Sequence, residues 1–216
     1  MNAPRRALIV IDVQNEYFTG RLRIEHPDPQ RSLANVVAAM QAARGAGIPV
    51  VVVQNVAPAS SPLFARGSDG WQLHPRIAAQ PRDLLVEKTL PDVFSGTPLA
   101  DWLRERDIAT LAIAGYMTHN CDASSAMVAL HLGFAVEFLT DAAGSVPYLN
   151  VAGHASAEEI HRVFSVVLHS RFGWTGPTAD WIAAIREGRA LQRGNIRDSH
   201  QAALAARREA AALVLA

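Results

Sequence analysis

The stretch ATLAIAGYMTHNCDASSAMVALHLGFAVEFLT, residues 109–140, contains three successive patterns that decide the fold. Residues 109–115 form a continuous apolar run, and a second run rich in β-branched and aromatic residues follows at 134–140. Continuous hydrophobicity is typical of parallel strands that are covered on both faces. Residues 121–134 between the two runs have the pattern of a helix. A strand, a helix and a strand in this order predict a βαβ unit.

The same alternation extends along most of the chain. We predict helices at 31–47, with Ser32 as its N-cap and Gly45 or Gly47 as its end, and at 95–107. The other apolar runs that predict strands are at 7–12, 48–54, 83–88 and 163–170. The fold class is therefore α/β: a single-domain, doubly wound, Rossmann-like sheet of six parallel strands with helices on both faces.

Composition limits the possible partners. The 216 residues are 50% hydrophobic, which suits one globular domain, and 20 basic residues balance 20 acidic ones. Because there is no net charge and no basic patch, we expect a small-molecule substrate and no nucleic acid. No apolar run approaches the roughly 20 residues that span a bilayer, so we expect no membrane partner. One cysteine cannot form an internal disulfide, and the first apolar run stops at Asp12, which favours the cytoplasm over secretion.

Two segments do not follow the alternation. Residues 55–82 are rich in proline and glycine, so we predict a long ordered loop that forms a wall or lid of the site. Residues 186–216 are helix-prone and rich in alanine. We divide the chain into a domain at 1–185 and a helical C-terminal extension at 186–216. The extension is either a frayed tail or a helix that packs on a partner subunit.

Three reactive side chains stand at strand ends. Asp12 ends the first apolar run, Lys88 ends the third, and Cys121 begins the helix after the fourth. In a parallel sheet these positions meet at the carboxyl edge, where doubly wound proteins bind ligands. An acid, a base and a thiol in one cleft indicate nucleophilic catalysis.

The expected chemistry follows from these residue types. A helix N-terminus and a nearby ammonium lower the pKa of a thiol, so we predict a lowered pKa for Cys121. Asp12 would accept the thiol proton and pass it to the leaving amine, while Lys88 would favour both negative charges. The turn before Cys121 can direct backbone N–H groups, including that of Cys121, at an oxyanion. We also expect Gln14 to orient Asp12 through a hydrogen bond.

Structural roles for the same residues stay open at this point. A lone cysteine is more often buried and inert than catalytic. Asp12 could cap the turn that follows its strand, and Lys88 could be a solvated charge at the sheet edge. The placement of all three at strand ends favours catalysis.

The segments ALIVIDVQNEYF (7–18), LLVEKTLPDVFSGTPLADWLRERD (84–107) and LAIAGYMTHNCDASSAMVALHLGFAVEFLTDAAGS (111–145) resemble the isochorismatase-like cysteine hydrolase superfamily in order and spacing. The resemblance covers roughly residues 6–185. It implies a six-stranded parallel sheet and a catalytic triad of Asp12, Lys88 and Cys121. It also implies a cis peptide bond between Tyr116 and Met117, with the N–H groups of Met117 and Cys121 as the oxyanion hole.

The resemblance also implies a type of reaction. Similar members hydrolyse C–N bonds of small amides and ureides, such as nicotinamide, N-carbamoylsarcosine and ureidoacrylate. Isochorismatases cleave a vinyl ether and lack the cysteine, so Cys121 favours the amidase branch. Nicotinamidases carry an Asp-x-His metal motif where this chain has Asn55, Val56 and Ala57. We therefore expect no metal and no other cofactor. Family members form dimers or tetramers, which implies a homodimer or homotetramer here.

Side chains near the predicted cleft suggest a mostly apolar pocket for a planar substrate. Each of them could instead belong to the core. The predicted substrate-binding residues are Tyr17, Phe18, Trp71, Phe94, Tyr116 and His119.

The leading hypothesis is a metal-independent cysteine hydrolase that cleaves a C–N bond of a small amide, ureide or carbamoyl compound. One alternative is another scissile bond, an ester or a lactam, on the same triad. Another is a non-catalytic binding or scaffold protein that has kept the fold.

Overall fold

A computed structural model of the chain describes residues 3–214. Its central sheet has six strands in the order β3-β2-β1-β4-β5-β8, all parallel, and β6 and β7 form a separate antiparallel hairpin. The strands are β1 (Arg6–Ile11), β2 (Val50–Asn55), β3 (Leu84–Lys88), β4 (Thr110–Tyr116), β5 (Ala135–Gly144), β6 (Tyr148–Asn150), β7 (Gly153–Ala155) and β8 (Trp174–Gly176). The predicted doubly wound parallel sheet is confirmed.

The helices cover both faces of this sheet. They are α1 (Pro29–Gly45), α2 (Pro75–Ala78), α3 (Leu99–Arg104), α4 (Ala123–His131), α5 (Ala157–Arg171), α6 (Thr178–Arg186) and α7 (Ile196–Val214). One apolar core lies between the sheet and α1 with α6, and includes Leu33 and Trp181. The other lies beneath α3, α4 and α5, and includes Leu103 and Leu168.

The prediction of a strand at 163–170 is wrong. These residues lie within α5, whose start is fixed by a capping box between Ser156 and Glu159. The valines that suggested a strand, among them Val163 and Val166, lie on the exposed side of this helix. The sixth strand is instead the short segment β8, which pairs with β5 from Glu137 to Leu139.

The first helix begins earlier than predicted. Asp28 caps α1 by accepting a hydrogen bond from the Arg31 N–H at 2.9 Å, and Pro29 occupies the first turn. Ser32 is therefore not the cap. It is fully buried inside the helix, and its hydroxyl lies 2.7 Å from the Tyr116 hydroxyl. The predicted end at Gly45 or Gly47 is confirmed, since the helix stops at Gly45 and Gly47 has a φ of 69°.

The chain reverses its direction of winding between β1 and β4. From β1 it proceeds outward to β2 and β3, and it then returns to place β4 on the other side of β1. Gly115 allows this close pairing, because a Cβ at that position would lie 2.0 Å from the Ile11 carbonyl oxygen. Ligands of doubly wound sheets bind at such a reversal point, so the residues that follow Ile11 and Tyr116 are the candidates for a binding site.

The C-terminal extension contains the helix α7. Between Ile196 and Ala211 only Ser199 and Leu204 are partly buried, and the other side chains are exposed. Residues 215 and 216 of the predicted extension, like residues 1 and 2 of the predicted domain, lie outside the described residues. Within residues 3–214, no helix has the length and apolar character that a bilayer crossing requires.

Candidate active site

The three predicted strand-end residues meet beside the reversal point. The Lys88 Nζ atom lies 2.7 Å from Asp12 Oδ2 and donates a hydrogen bond to Cys121 Sγ at 3.2 Å. The Leu90 carbonyl accepts a further hydrogen bond from Nζ at 3.2 Å. All three residues are buried, with exposed fractions of 0% for Asp12, 2% for Lys88 and 5% for Cys121. The ammonium therefore bridges the carboxylate and the thiol in a water-poor site.

Backbone geometry explains how these side chains converge. Asp12 directly follows β1 with a φ of 52°, a conformation that aspartate tolerates better than most residues, and its N–H donates to the Val53 carbonyl. Lys88 is the last residue of β3, two strands away from β1. Its long side chain spans the end of β2 to reach the other two groups.

Cys121 lies in a wide helical turn, Thr118–Asp122, that leads from β4 into α4. The Met117 carbonyl accepts hydrogen bonds from the N–H groups of Asn120 and Asp122. The peptide bond between Tyr116 and Met117 is cis, as predicted. The Ser125 hydroxyl donates to the Cys121 carbonyl at 2.6 Å and accepts from the Val93 N–H, which ties the turn of Cys121 to the loop after β3.

The pKa of the Cys121 thiol is shifted in the direction opposite to the prediction. Burial and the Asp12 charge raise the pKa of Cys121, and the Lys88 ammonium only partly opposes them. Burial also raises the pKa of Asp12, against the attraction of Lys88. Burial lowers the pKa of Lys88, but Asp12 and Cys121 outweigh it and the net change is upward. The predicted lowering of the Cys121 pKa is therefore wrong, and the site holds a thiol beside a carboxylate and an ammonium.

Two of the predicted pocket aromatics lie close to this group. Phe94 shares the apolar cluster of Cys121 and stacks on Phe134 at 6.1 Å. The Asp92 carboxylate fixes the Phe94 backbone by accepting its N–H at 2.8 Å. Tyr17 packs against Tyr116 at 5.4 Å, and burial, with a smaller contribution from the charge of Asp12, raises the pKa of its phenol.

The other predicted aromatics lie in the surrounding packing. Tyr116 is fully buried, and its hydroxyl is paired with Ser32. Phe18 is half-buried against Tyr116 and His74. Trp71 belongs to the long loop, and its carbonyl oxygen accepts two side-chain hydrogen bonds. Roles of these residues in substrate binding stay predictions.

Gln14 does not hydrogen-bond to Asp12, so the prediction for Gln14 is wrong. Its amide nitrogen donates to the carbonyls of Asn55 and Trp71, and its oxygen accepts the Asn55 N–H. Within the described chain both Asp12 oxygens are buried without a hydrogen-bond partner, apart from the ion-pair contact with Lys88. Gln14 instead ties the end of β1 to β2 and to the long loop.

His119 lies on the side of the site opposite the long loop. Its Nδ1 atom is 3.1 Å from the Ser145 hydroxyl, and its ring packs edge-on against Tyr148 at 5.0 Å. Burial lowers its pKa to about 4, so the ring is neutral at physiological pH. Sequence reasoning had selected His119 but not Tyr148, since nothing in the pattern shows that the β6–β7 hairpin folds back over this turn.

Asp122, which directly follows Cys121, is a buried acidic residue of the site that the sequence pattern does not single out. Its side chain is fully buried, and neither oxygen has a hydrogen-bond partner among residues 3–214. Burial and the charge of Asp12 raise its pKa well above the usual range. The acidic residue next to the only cysteine was the available signal.

Over the described range no group of three or more His, Cys, Asp or Glu side chains could hold a metal.

A buried carboxylate, ammonium and thiol at the reversal point of a doubly wound sheet define the class of cysteine hydrolases. The chain also matches the isochorismatase domain model over residues 6–180. It therefore belongs to the isochorismatase family and is a hydrolase of that family.

Curated relatives include two kinds of hydrolase. Streptothricin hydrolase of Streptomyces noursei is 35% identical over 64% of this chain, and the match spans only 54% of that protein. Ureidoacrylate amidohydrolase RutB of Methylobacterium radiotolerans is 26% identical over 82% of this chain and 78% of its own length.

Solved structures agree with this assignment. A Burkholderia xenovorans LB400 protein described as an isochorismatase is 65% identical, with a TM-score of 0.94, over 95% of this chain and 99% of that one. A cysteine hydrolase from Pseudomonas syringae pv. phaseolicola 1448A is 26% identical, with a TM-score of 0.75, over 87% of this chain and 95% of that one.

Proposed function

We propose that this protein hydrolyses a C–N bond of a small amide, ureide or carbamoyl compound through an acyl-enzyme on Cys121, without a metal. The observation that carries the proposal is the bridging position of Lys88, 2.7 Å from the Asp12 carboxylate and 3.2 Å from the Cys121 sulfur. The names of two relatives, streptothricin hydrolase and ureidoacrylate amidohydrolase, are consistent with hydrolysis of this kind.

In the first half-reaction Asp12 acts as the general base. It accepts the Sγ proton while the sulfur bonds to the substrate carbonyl carbon, and the raised pKa of Asp12 suits this transfer. The N–H groups of Met117 and Cys121 would stabilise the resulting oxyanion. Asp12 then passes the proton to the nitrogen, the C–N bond breaks, and the amine leaves a thioester on Cys121.

In the second half-reaction Asp12 accepts a proton from water as the water oxygen attacks the thioester. The C–S bond breaks, the acid product leaves, and the proton returns to the sulfur. Lys88 remains an ammonium throughout, because Asp12 raises its pKa and, while Asp12 is protonated, the negative charge has moved to the oxyanion of the intermediate bound to Cys121.

Replacement of the nucleophile tests this function. Cys121→Ala and Cys121→Ser each lower kcat/KM on a panel of amides and ureides by at least about 10³-fold, because the thioester cannot form. The measurement is the release of the amine product, which a coupled assay detects as ammonia for primary amides and ureides. Rapid-quench mass spectrometry of the wild-type protein detects the acyl-enzyme on the only cysteine.

Other results would select another function. Turnover of esters or lactams alone, dependent on Cys121, favours the alternative scissile bonds. Full biological effect of Cys121→Ala would support a scaffold protein.

We also propose a homodimer or homotetramer. Helices in proteins draw most of their stability from tertiary packing of one face, whereas α7 buries little against its own chain. The exposed valines of α5, Val163, Val166 and Val167, offer an apolar surface close to α7. Light scattering of the full chain is expected to give a multiple of 23.3 kDa, and removal of residues 196–216 is expected to reduce the mass. A monomeric full chain would contradict the proposal.

A further inference from the structure

A cavity adjoins the turn that carries Cys121, between the β6–β7 hairpin and α5. Its volume is about 420 Å³, which is enough for a ring-sized substituent. Its walls contain no Asp, Glu, Lys or Arg, and consist of His119, Tyr148, Asn150, Ala152, Gly153, His154, Ala155, Ile160 and Phe164. A charged group placed there would lose its hydration without gaining an ionic partner, whereas an uncharged group would not.

The aromatic walls of the cavity have a defined arrangement. The His119 ring meets Tyr148 edge-on at 5.0 Å and Phe164 at 6.0 Å. Edge-to-face contacts of this kind are a preferred geometry for aromatic rings, so a planar guest can add to the cluster. Tyr148 is 42% exposed, which leaves part of its ring free to contact a ligand.

The cavity is close to the reacting sulfur. His119 precedes Cys121 by two residues in the same turn. The Tyr148 ring packs edge-on against His119, so the phenol of the hairpin lies beside the turn that carries the sulfur. A substituent attached to a carbonyl at Cys121 can therefore extend into this cavity.

One polar atom of the walls is left without a partner. His119 uses Nδ1 toward the Ser145 hydroxyl, whereas its Nε2 atom is buried and has no hydrogen-bond partner within residues 3–214. An unpaired buried polar group is costly, and a ligand that pairs with it gains affinity. Because the ring is neutral at physiological pH, it offers a hydrogen bond without a charge.

We propose that this cavity, which we name the aromatic subsite, holds an uncharged planar substituent of the substrate while Cys121 attacks the attached carbonyl group. The inference rests on the proposed function and specifies its substrate class: amides or ureides with an aromatic or heteroaromatic group, rather than a carboxylate or an ammonium. Charged side chains line other cavities instead. One of these cavities lies beside Thr89 and is lined by Arg66, which pairs with Glu87.

Three alkylating amides of graded structure test the subsite: iodoacetamide, N-benzyl-iodoacetamide and N-(4-carboxybenzyl)-iodoacetamide. In each case Cys121 Sγ displaces iodide and forms a thioether, and intact mass reports the single site. We expect the benzyl compound to give a kinact/KI at least tenfold above that of iodoacetamide, after correction for their rates with free cysteine. The carboxybenzyl compound is expected to lose most of that gain.

Paired variants of the hairpin sharpen the test. Tyr148→Ala is expected to reduce the ratio of benzyl to unsubstituted rates at least fivefold. The neighbouring Leu149→Ala serves as a matched control, because Leu149 is 79% exposed and does not line the cavity. An unchanged ratio in Tyr148→Ala, or equal changes in both variants, would overturn the subsite.

Failure of the subsite and failure of the proposed function give different results. Equal labelling of Cys121 by all three compounds overturns the subsite and leaves the nucleophile in place. If none of them labels Cys121 in the folded protein, the proposed nucleophile fails. NMR titration with N-benzylacetamide then decides the subsite by itself: binding that weakens in Tyr148→Ala upholds it, and absence of binding overturns it.

Discussion

Two buried ion pairs lie at opposite ends of the same sheet and differ in how fully their polar atoms are satisfied. Near the strand starts, Arg6 makes two hydrogen bonds of 2.8 Å to Glu137, which also accepts one from Trp181 Nε1. Arg6 further donates to the Arg189 carbonyl. At the strand ends, Asp12 has only Lys88 as an ionic partner, and the thiol shares that ammonium.

The difference shows how one kind of interaction serves two purposes. A buried pair whose hydrogen-bonding positions are filled offers no site for a proton or a ligand and fixes the packing around it. A buried pair with unfilled positions keeps a carboxylate that can take a proton from a neighbouring group. The Arg6–Glu137 pair is therefore structural, and the Asp12–Lys88 pair is suited to chemistry.

The largest expected effect is on activity at the strand ends. Lys88→Met is expected to lower kcat/KM by about 10³ to 10⁴-fold, within the range of general acid–base effects, because Asp12 and the attacking sulfur lose their shared cation. Steady-state kinetics on an amide substrate measure this. A loss of less than tenfold would remove the distinction between the two pairs.

The next effect is on stability at the strand starts. Glu137→Gln is expected to reduce the free energy of unfolding by about 3–5 kcal/mol, because Arg6 becomes a buried charge without a counterion. Urea denaturation measures this, with kcat of the folded fraction near that of the wild type. The matched control is Glu87→Gln in the exposed Arg66–Glu87 pair, where a loss of about 1 kcal/mol or less is expected.

Acid should lower the stability of the protein through His161, which contacts Thr118 in the turn at the strand ends. Burial lowers the pKa of His161 to about 4, with smaller contributions from His26 and His119. Because the unfolded chain takes up this proton first, the contribution of His161 to stability is complete above about pH 6.5 and is lost as the pH falls toward 4. The expected loss is about 3 kcal/mol.

Thermal unfolding at several pH values measures the contribution of His161. His161→Asn is expected to make the decline between pH 6.5 and 4 shallower, with the remainder due to His119, while keeping a donor for the Thr118 hydroxyl, which itself donates to the Gly144 carbonyl. The exposed His131→Asn is the control and should leave the decline unchanged. Equal flattening by both variants would contradict this assignment.

The smallest expected effect is the most direct test of the comparison. Combining Asp12→Asn with Lys88→Met is expected to raise the free energy of unfolding by about 1–2 kcal/mol, since neutral groups replace a pair that is costly to bury. Combining Arg6→Met with Glu137→Gln is expected to lower it, because Trp181 and the Arg189 carbonyl are bonded to the charged pair. Changes of the same sign would show that the two pairs do not differ in kind.

Much of the fold follows from the sequence because β1, β2, β4 and β5 contain apolar runs that the sheet buries on both faces, and the edge strand β3 keeps an apolar run although Leu85 is exposed. The sixth could not be predicted in this way. Strand β8 has three half-buried residues, whereas the exposed valines of α5 imitate a strand. Only the capping box at Ser156 and Glu159, a local signal, identifies that segment as a helix.

The sequence predicts those features of the candidate site that depend on the order of residues along the chain. It does not predict the features that depend on burial. Asp12, Lys88 and Cys121 were found because parallel strands end at one edge. The direction of the Cys121 pKa shift could not be predicted, because the sequence shows the nearby charges but not the burial that outweighs the effect of Lys88. Tyr148 approaches the turn only through the path of the hairpin, and no spacing rule contains that path.

The carbonyl of Trp71 has a consequence for substrate traffic. It accepts hydrogen bonds from the amides of Gln14 at 2.6 Å and Gln54 at 2.8 Å, and both glutamines are anchored in or beside the central strands. The long loop therefore cannot swing outward at this point without breaking both bonds. We expect it to act as a fixed wall, so that reactant enters and product departs across the opposite rim, beside His119 and the hairpin.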